Sequence, residues 1–315
     1  MIFLLGSGRS GTTFLAKLFD SHPRVLYRHE PDSALLDESI PFHPRLSEIE
    51  HYKAGAASYL SRLAKVQTPK VAVHLPLFPK AYRGAVRQRL HNGLALGAKT
   101  LAKLPYVEQR IAVPDLIAPA APKPVTVIKS VNSLNRSRLF LESDPELRVV
   151  HIVRHPCGVV ASLIRGARQK LMNPEIYFDA LYGMEHTEKY GLAREDMEAR
   201  TFEEQAAFQW MVANDKVLGD MQDMNRYQMV RYEDLCLNTG EVIGELFDFC
   251  GLEANPQTYA FTQQLESTEA ADASYFSVMR SPKKGVFSWK QELSAEQIER
   301  ISDIVSRSSV GMEYL

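Results

Sequence analysis

The sequence predicts an α/β fold, a central parallel sheet flanked by helices and carrying a helical insertion. Three observations predict it. Residues 2–5 form an apolar run that stops at Gly6, followed by a glycine-rich loop and then by residues 13–19, where Phe14, Leu15 and Leu18 recur at helical spacing. Residues 125–128 and 148–153 are apolar and rich in β-branched residues, the character of strands buried on both faces. Helical patterns alternate with these strands, and a strand–helix alternation closes on a parallel sheet covered on both sides.

Taken in order, Ser21-His22-Pro23 ends the first helix, and Val25-Leu26-Tyr27 reads as a second short strand with Glu30 just past its end. From about 41 to 124 the pattern changes to amphipathic helical stretches, around 56–66 and 82–101, among scattered prolines. This is the insertion. The strand at 125–128 runs into Lys129 and the strand at 148–153 into Arg154. Residues 159–168, 163–181 and 202–221 read as helical, 227–232 as a strand and 241–250 as a helix. The whole chain, 1–315, reads as one domain. Ligands of such sheets sit beyond the carboxyl ends of the strands, where Glu30, Lys129, Arg154 and the glycine loop would gather.

Composition narrows the chemistry. The 37 basic and 38 acidic residues leave a net charge of -1, which gives no argument for nucleic acid or bulk membrane binding. Cys157, Cys236 and Cys250 have neither zinc nor disulfide spacing, and the nine histidines form no metal-ligand pattern. A reducing, cytoplasmic location is the expectation. No run of about eighteen apolar residues suggests a transmembrane helix, and the five residues before Gly6 are too short for a signal peptide or anchor. The chain therefore reads as soluble, with homodimer formation left open.

Gly6-Ser7-Gly8-Arg9-Ser10-Gly11-Thr12-Thr13 lies between predicted strand and predicted helix, the context of a P-loop nucleotide-binding element. Glycines let backbone N–H groups turn inward, and the helix that follows presents its positive end to an anion. A kinase or triphosphatase loop places Lys at position 12 and needs a strand-end Asp for Mg²⁺; here Thr12 and Thr13 close the loop, Arg9 supplies the charge, and the strand ends are basic. The kinase or triphosphatase reading and a non-catalytic nucleotide-binding module are the alternatives. Arg154 and Ser162 are separated by eight residues, so that a strand-end cation and a helix hydroxyl can meet on one phosphate.

Arg9-Ser10-Gly11-Thr12-Thr13 reproduces the pattern [RK]-[ST]-G-T-[TS], and through it the chain resembles the sulfotransferases that use 3′-phosphoadenosine 5′-phosphosulfate (PAPS). The continuation from Phe14-Leu15 through Asp20-Ser21-His22-Pro23 looks closer to their carbohydrate and tyrosylprotein branches than to the cytosolic phenol and steroid branch. The resemblance implies that Gly8, Arg9, Ser10, Gly11, Thr12 and Thr13 hold the 5′-phosphosulfate, and that Arg154 and Ser162 hold the 3′-phosphate. It also implies that Lys283-Lys284-Gly285, with Trp289-Lys290 downstream, closes over that phosphate, and that Tyr232 lies near the adenine. Glu30 is the expected general base, His29 its runner-up, and Lys129 and Arg9 the cations of the transition state. The expected reaction is metal-free transfer of a sulfuryl group from PAPS to a hydroxyl or amine of a carbohydrate, glycolipid or other small acceptor. Acceptor choice is expected in the insertion and in residues 169–200.

Overall fold

The computed structural model describes residues 1–102, 111–267 and 283–315, and its sheet follows from the apolar runs. Strands β1 (Ile2–Leu5), β2 (Val25–His29), β3 (Val125–Ser130), β4 (Arg148–Val153) and β5 (Tyr227–Arg231) lie in the order β2-β3-β1-β4-β5. Every pairing is parallel. Ile2 and Leu4 pack with Val127, Val150 and Ile152 on one face, while Phe3 and Leu5 pack with Ile128 and Val149 on the other. A strand enclosed on both faces needs apolar residues at consecutive positions, which is why these runs are continuous instead of alternating.

Helix α1 (Thr12–Ser21) follows β1, and α2 (Pro31–Ala34) follows β2. Between β2 and β3 come α3 (Ile49–Leu63), α4 (Pro69–Ala72) and α5 (Gly84–Leu101), and α6 (Ser137–Ser143) joins β3 to β4. Helices α7 (Pro156–Arg168), α8 (Phe178–Tyr182), α9 (Arg194–Glu198) and α10 (Phe202–Asp220) lead to β5. After it come α11 (Tyr232–Leu237), α12 (Thr239–Cys250), α13 (Pro256–Ser267), α14 (Trp289–Glu292) and α15 (Ala295–Val305). One face of the sheet is covered by α1, α12 and α13 through Leu15, Leu18, Phe19, Phe247 and Phe261. The other is covered by α3, α6 and α10 through Tyr59, Leu60, Phe140 and Val217.

The insertion is helical, as its pattern predicts, but its helices do two different things. Ile49, Ala56, Tyr59, Leu60 and Leu63 give α3 one apolar stripe, and that stripe is the lid on a face of the sheet. By contrast, α5 lies outside, and its His91, Ala95 and Ala98 turn inward, the two alanines packing with Val73 and Val113. Buried charges pin this outer layer to the sheet. Arg28 of β2 pairs with Asp115 at 2.7 Å, and Asp20 of α1 receives Lys17 at 2.7 Å and Lys80 at 3.0 Å. Burial alone would raise the Asp20 pKa, but the two ammonium groups overcome it and hold the carboxyl at about 2.

Local boundaries depart from the sequence pattern in two places. The helix expected across 163–181 is two helices, because α7 ends at Arg168, Lys170 adopts a left-handed φ of 54°, and the chain turns before α8 begins at Phe178. The strand expected over 227–232 stops at Arg231, and Tyr232 opens α11 instead. That one-residue change sends the Tyr232 ring back across the sheet edge.

Candidate functional site

Register brings the candidate residues together. Lys129 of β3 is level with His29 of β2 and with Leu4 of β1, Leu5 is level with His151 of β4, and Val153 is level with Arg231 of β5. Glu30, the loop at 6–11, Arg154 and Tyr232 therefore all leave the sheet at its carboxyl edge. The chain leaves β1 toward β2 on one side and β4 toward β5 on the other, which opens a crevice between the two departing loops.

The loop at 6–11 is held tight by its own backbone. Ser10 N–H donates to the Ser7 carbonyl at 3.2 Å, and the Ser10 hydroxyl donates to the same oxygen at 2.5 Å. A Cβ on Gly6 would lie 2.6 Å from Ser10 Oγ and 2.7 Å from the Ile152 carbonyl, so only glycine lets β1 turn there. Arg9 and Gly11 have left-handed φ values of 69° and 93°, and Gly8 faces open space. Beyond the loop, α1 starts with no side-chain cap and no acidic residue in its first turn. Its free N–H groups and the positive end of its dipole face the crevice unopposed, with the Thr12 and Thr13 hydroxyls beside them.

The second cradle touches the first. Arg154 leaves β4, is buried, and donates from Nη1 to the Arg9 carbonyl at 3.1 Å, while its guanidinium lies 4.6 Å from the centre of the Tyr232 ring. The same ring packs against Gly11, where a Cβ would run into its Cδ2 and Cε2 atoms. Arg9 in turn donates from Nε to Ser162 Oγ at 3.0 Å. Arg154 and Ser162 are thus brought together, as their spacing suggests, with Arg9 as the link between them. Among the described residues, the buried Arg154 Nε has no hydrogen-bond partner. Gly158 leaves room for this side chain, since a Cβ there would stand 2.8 Å from Arg154 Nε. Trp210 Nε1 fixes the Arg154 backbone by donating to its carbonyl at 3.0 Å.

On the other side of the loop, the Lys129 ammonium bonds to the Glu30 carboxylate, and Glu30 N–H donates to the Lys129 carbonyl at 2.7 Å. Glu30 has a left-handed φ of 46°, which lifts its side chain out of the strand plane and over the strand end. Lys129 is 2% exposed and Glu30 is half-buried. Burial pushes the Lys129 ammonium below its ordinary pKa; Glu30 and Asp32 pull it back up, and Arg9 adds to the downward push. His29 points elsewhere. Its Nδ1 shares a hydrogen bond of 2.7 Å with the Tyr27 hydroxyl, its ring stacks on His74 with centroids 3.9 Å apart, and burial pushes its pKa down to about 2. Of the two adjacent candidates, the one beside the loop cations is Glu30.

Sequence reasoning missed Asp32 and Glu233. Asp32 is buried and accepts from Ser133 Oγ at 2.7 Å and from the Ser130 hydroxyl, which ties the chain after Glu30 to the end of β3. Glu233 accepts from His155 N–H at 3.0 Å and so sets the turn after Arg154. Burial raises the pKa of both carboxyls. Their signal in the sequence is only proximity: each lies within two residues of a candidate, Glu30 or Tyr232.

The expected C-terminal element reaches the same region by an indirect contact. Lys283 and Gly285 lie in a 3₁₀ turn, with Lys283 paired to Glu266 at 3.2 Å, and the side chain of Lys284 lies outside the described part of the structure. Trp289 is buried and stacks on His155, centroids 4.3 Å apart, next to Arg154.

A family model described as the sulfotransferase domain matches residues 1–312. Carbohydrate sulfotransferase 7 of Mus musculus is 26% identical over 353 residues, an alignment covering 95% of this chain and 71% of that protein. Carbohydrate sulfotransferase 2 of Mus musculus is 24% identical, with all of this chain and 65% of that protein aligned. Among solved structures, the sulfotransferase domain from the curacin biosynthetic pathway is similar with a TM-score of 0.46 at 17% identity, covering 97% of both chains.

Proposed function

The chain belongs to the sulfotransferase family and is a PAPS-dependent sulfotransferase, and we propose that it moves the sulfuryl group to a carbohydrate hydroxyl at the sheet edge described above. The observation that carries the reading is the meeting, on one edge, of an uncapped helix start, Arg9, Arg154 and the Glu30–Lys129 pair. Two anion cradles in contact suit a donor that carries phosphate on both the 3′ and the 5′ oxygen of one ribose. The loop and the Thr12 and Thr13 hydroxyls take the 5′-phosphosulfate, and Arg154 with Ser162 takes the 3′-phosphate. Tyr232 is assigned to the border of the nucleoside, a reading supported by its ring lying between Gly11 and Arg154.

In the proposed step the acceptor oxygen attacks sulfur while the bond from sulfur to the 5′-phosphate oxygen breaks. Glu30 takes the hydroxyl proton, Lys129 and Arg9 face the charge that grows on the leaving phosphate, and adenosine 3′,5′-bisphosphate departs. No other reactant is needed. The names of the relatives support a sugar acceptor. So does the cleft in which the two segments expected to choose the acceptor meet, about 220 Å³ in volume and lined by His43, Arg45, Glu185 and His186 among others. Asn135, on the turn after β3, donates to His43 at 3.0 Å and links this cleft to the strand end. Donors and acceptors of this density suit a hydroxyl-rich ring better than an apolar one.

The test is transfer from ³⁵S-labelled PAPS, in the presence of a chelator, to a panel of oligosaccharides and simple phenols. Label entering a sugar is the expected result; label entering only phenols, or a strict need for Mg²⁺ and ATP, would overturn the proposal. For the nucleotide site, Arg154→Ala is expected to weaken adenosine 3′,5′-bisphosphate by about 2 kcal/mol, roughly 30-fold, since a charged hydrogen-bond partner is lost. Calorimetry reads this directly, and unchanged affinity removes Arg154 from the site.

A further inference from the structure

We propose that the outer face of α5 is a docking surface for an anionic lipid bilayer. Val86, Leu90, Leu94 and Leu101 recur at helical spacing on one side of α5 and are 81%, 54%, 42% and 50% exposed. Gly93 and Gly97 fall within the same stripe, and a Cβ on either would meet nothing within 4 Å. The opposite side, with the small residues Ala95 and Ala98 and with His91, is the one that packs. The helix is therefore inverted relative to an ordinary surface helix, with its large apolar residues toward solvent and its small ones toward the protein.

Charge says what covers it. Residues 84–101 contain Arg87, Arg89 and Lys99 and no Asp or Glu. On a helical projection Arg87 and Arg89 fall on opposite borders of the stripe. Arg87 donates to the Ile117 carbonyl at 2.9 Å, and Ile117, itself 39% exposed, widens the apolar patch. An apolar stripe bordered by cations is the pattern of a helix lying in the headgroup region, with leucines in the acyl boundary and arginines at the phosphates. A second copy fits worse, because pairing this helix with itself would set cations against cations with no carboxylate on either helix to offset them. The net charge of -1 conceals this, since the excess of base is local to one helix.

Flotation of the full chain with vesicles tests the proposal. The protein should rise with phosphatidylcholine vesicles containing about a third phosphatidylserine, stay behind with phosphatidylcholine alone, and be released near 0.5 M salt, roughly where the Debye length falls to a few ångströms. Leu90→Ser with Leu94→Ser should lose binding while its circular dichroism and its sulfotransfer to a soluble acceptor are kept. Arg89→Gln, at one border of the stripe, should weaken binding by about fivefold. Failure of the unaltered protein to float, equal flotation on neutral vesicles, or full binding by the charge variant would each overturn the proposal. So would a dimer in sedimentation velocity that the leucine variant dissolves, because the stripe would then belong to a second copy.

Discussion

Glu30→Gln is expected to lower kcat by about 10² to 10⁴, the range of a lost general base, while affinity for adenosine 3′,5′-bisphosphate stays close to that of the unaltered protein. The separation of the two effects follows from the geometry. Glu30 bonds to Lys129 at the end of β3, whereas the cradles built by the loop, Arg154 and Ser162 make no use of its carboxylate. Gln keeps the size and an acceptor oxygen but cannot take a proton. Rapid-quench measurement of transfer, with calorimetry of the nucleotide, checks both halves, and a variant that loses binding along with turnover would make Glu30 a structural anchor. His29→Phe is the control. Burial holds that imidazole at about 2, so it is neutral throughout the working range and contributes no step to the pH profile of kcat. Its effect belongs to stability. A folded pKa below the free value of 6.5 means that unfolding takes up a proton, so the stability His29 contributes is present above that value and is lost as the pH falls toward its folded pKa.

The sheet and the phosphate loop were legible because each is dictated locally. The central strands β1, β3 and β4, covered on both faces, need nearly continuous apolar runs, and a turn from β1 into α1 with Gly6 against the Ile152 carbonyl needs glycine. The way the cradles join was not legible. That Arg9 reaches Ser162, 153 positions away, depends on a left-handed backbone at Arg9 and on the register of β1 with β4, neither of which leaves a periodic trace. Position 30 was named, but its companions were not, because Asp32 acquires its meaning only when Ser130 and Ser133 arrive from the next strand. In α5 the pattern itself is ambiguous. The helix carries a large apolar stripe and a small one, and which of them faces inward is set by how closely Val73 and Val113 approach, a tertiary fact.

Gly11→Ala should damage fold and site together. Alanine at a φ of 93° costs about 1–2 kcal/mol from its Cβ alone. The same atom runs into Cδ2 and Cε2 of Tyr232, a ring that cannot simply retreat because Arg154 lies 4.6 Å from its centre. Relieving that overlap adds about 1–3 kcal/mol, so the midpoint of thermal unfolding should fall by roughly 4–10 °C. Nucleotide affinity should fall further than in Arg154→Ala: displacing two N–H groups from a charged phosphate, at about 1.5 kcal/mol each, amounts to roughly 100-fold. Tyr232→Ala placed in the same chain divides the two causes, because it removes the collision and leaves the left-handed strain. Partial recovery of the midpoint is the expected outcome. Full recovery would show that the backbone conformation at Gly11 carries no penalty, and no recovery would show that the ring does not press on the loop.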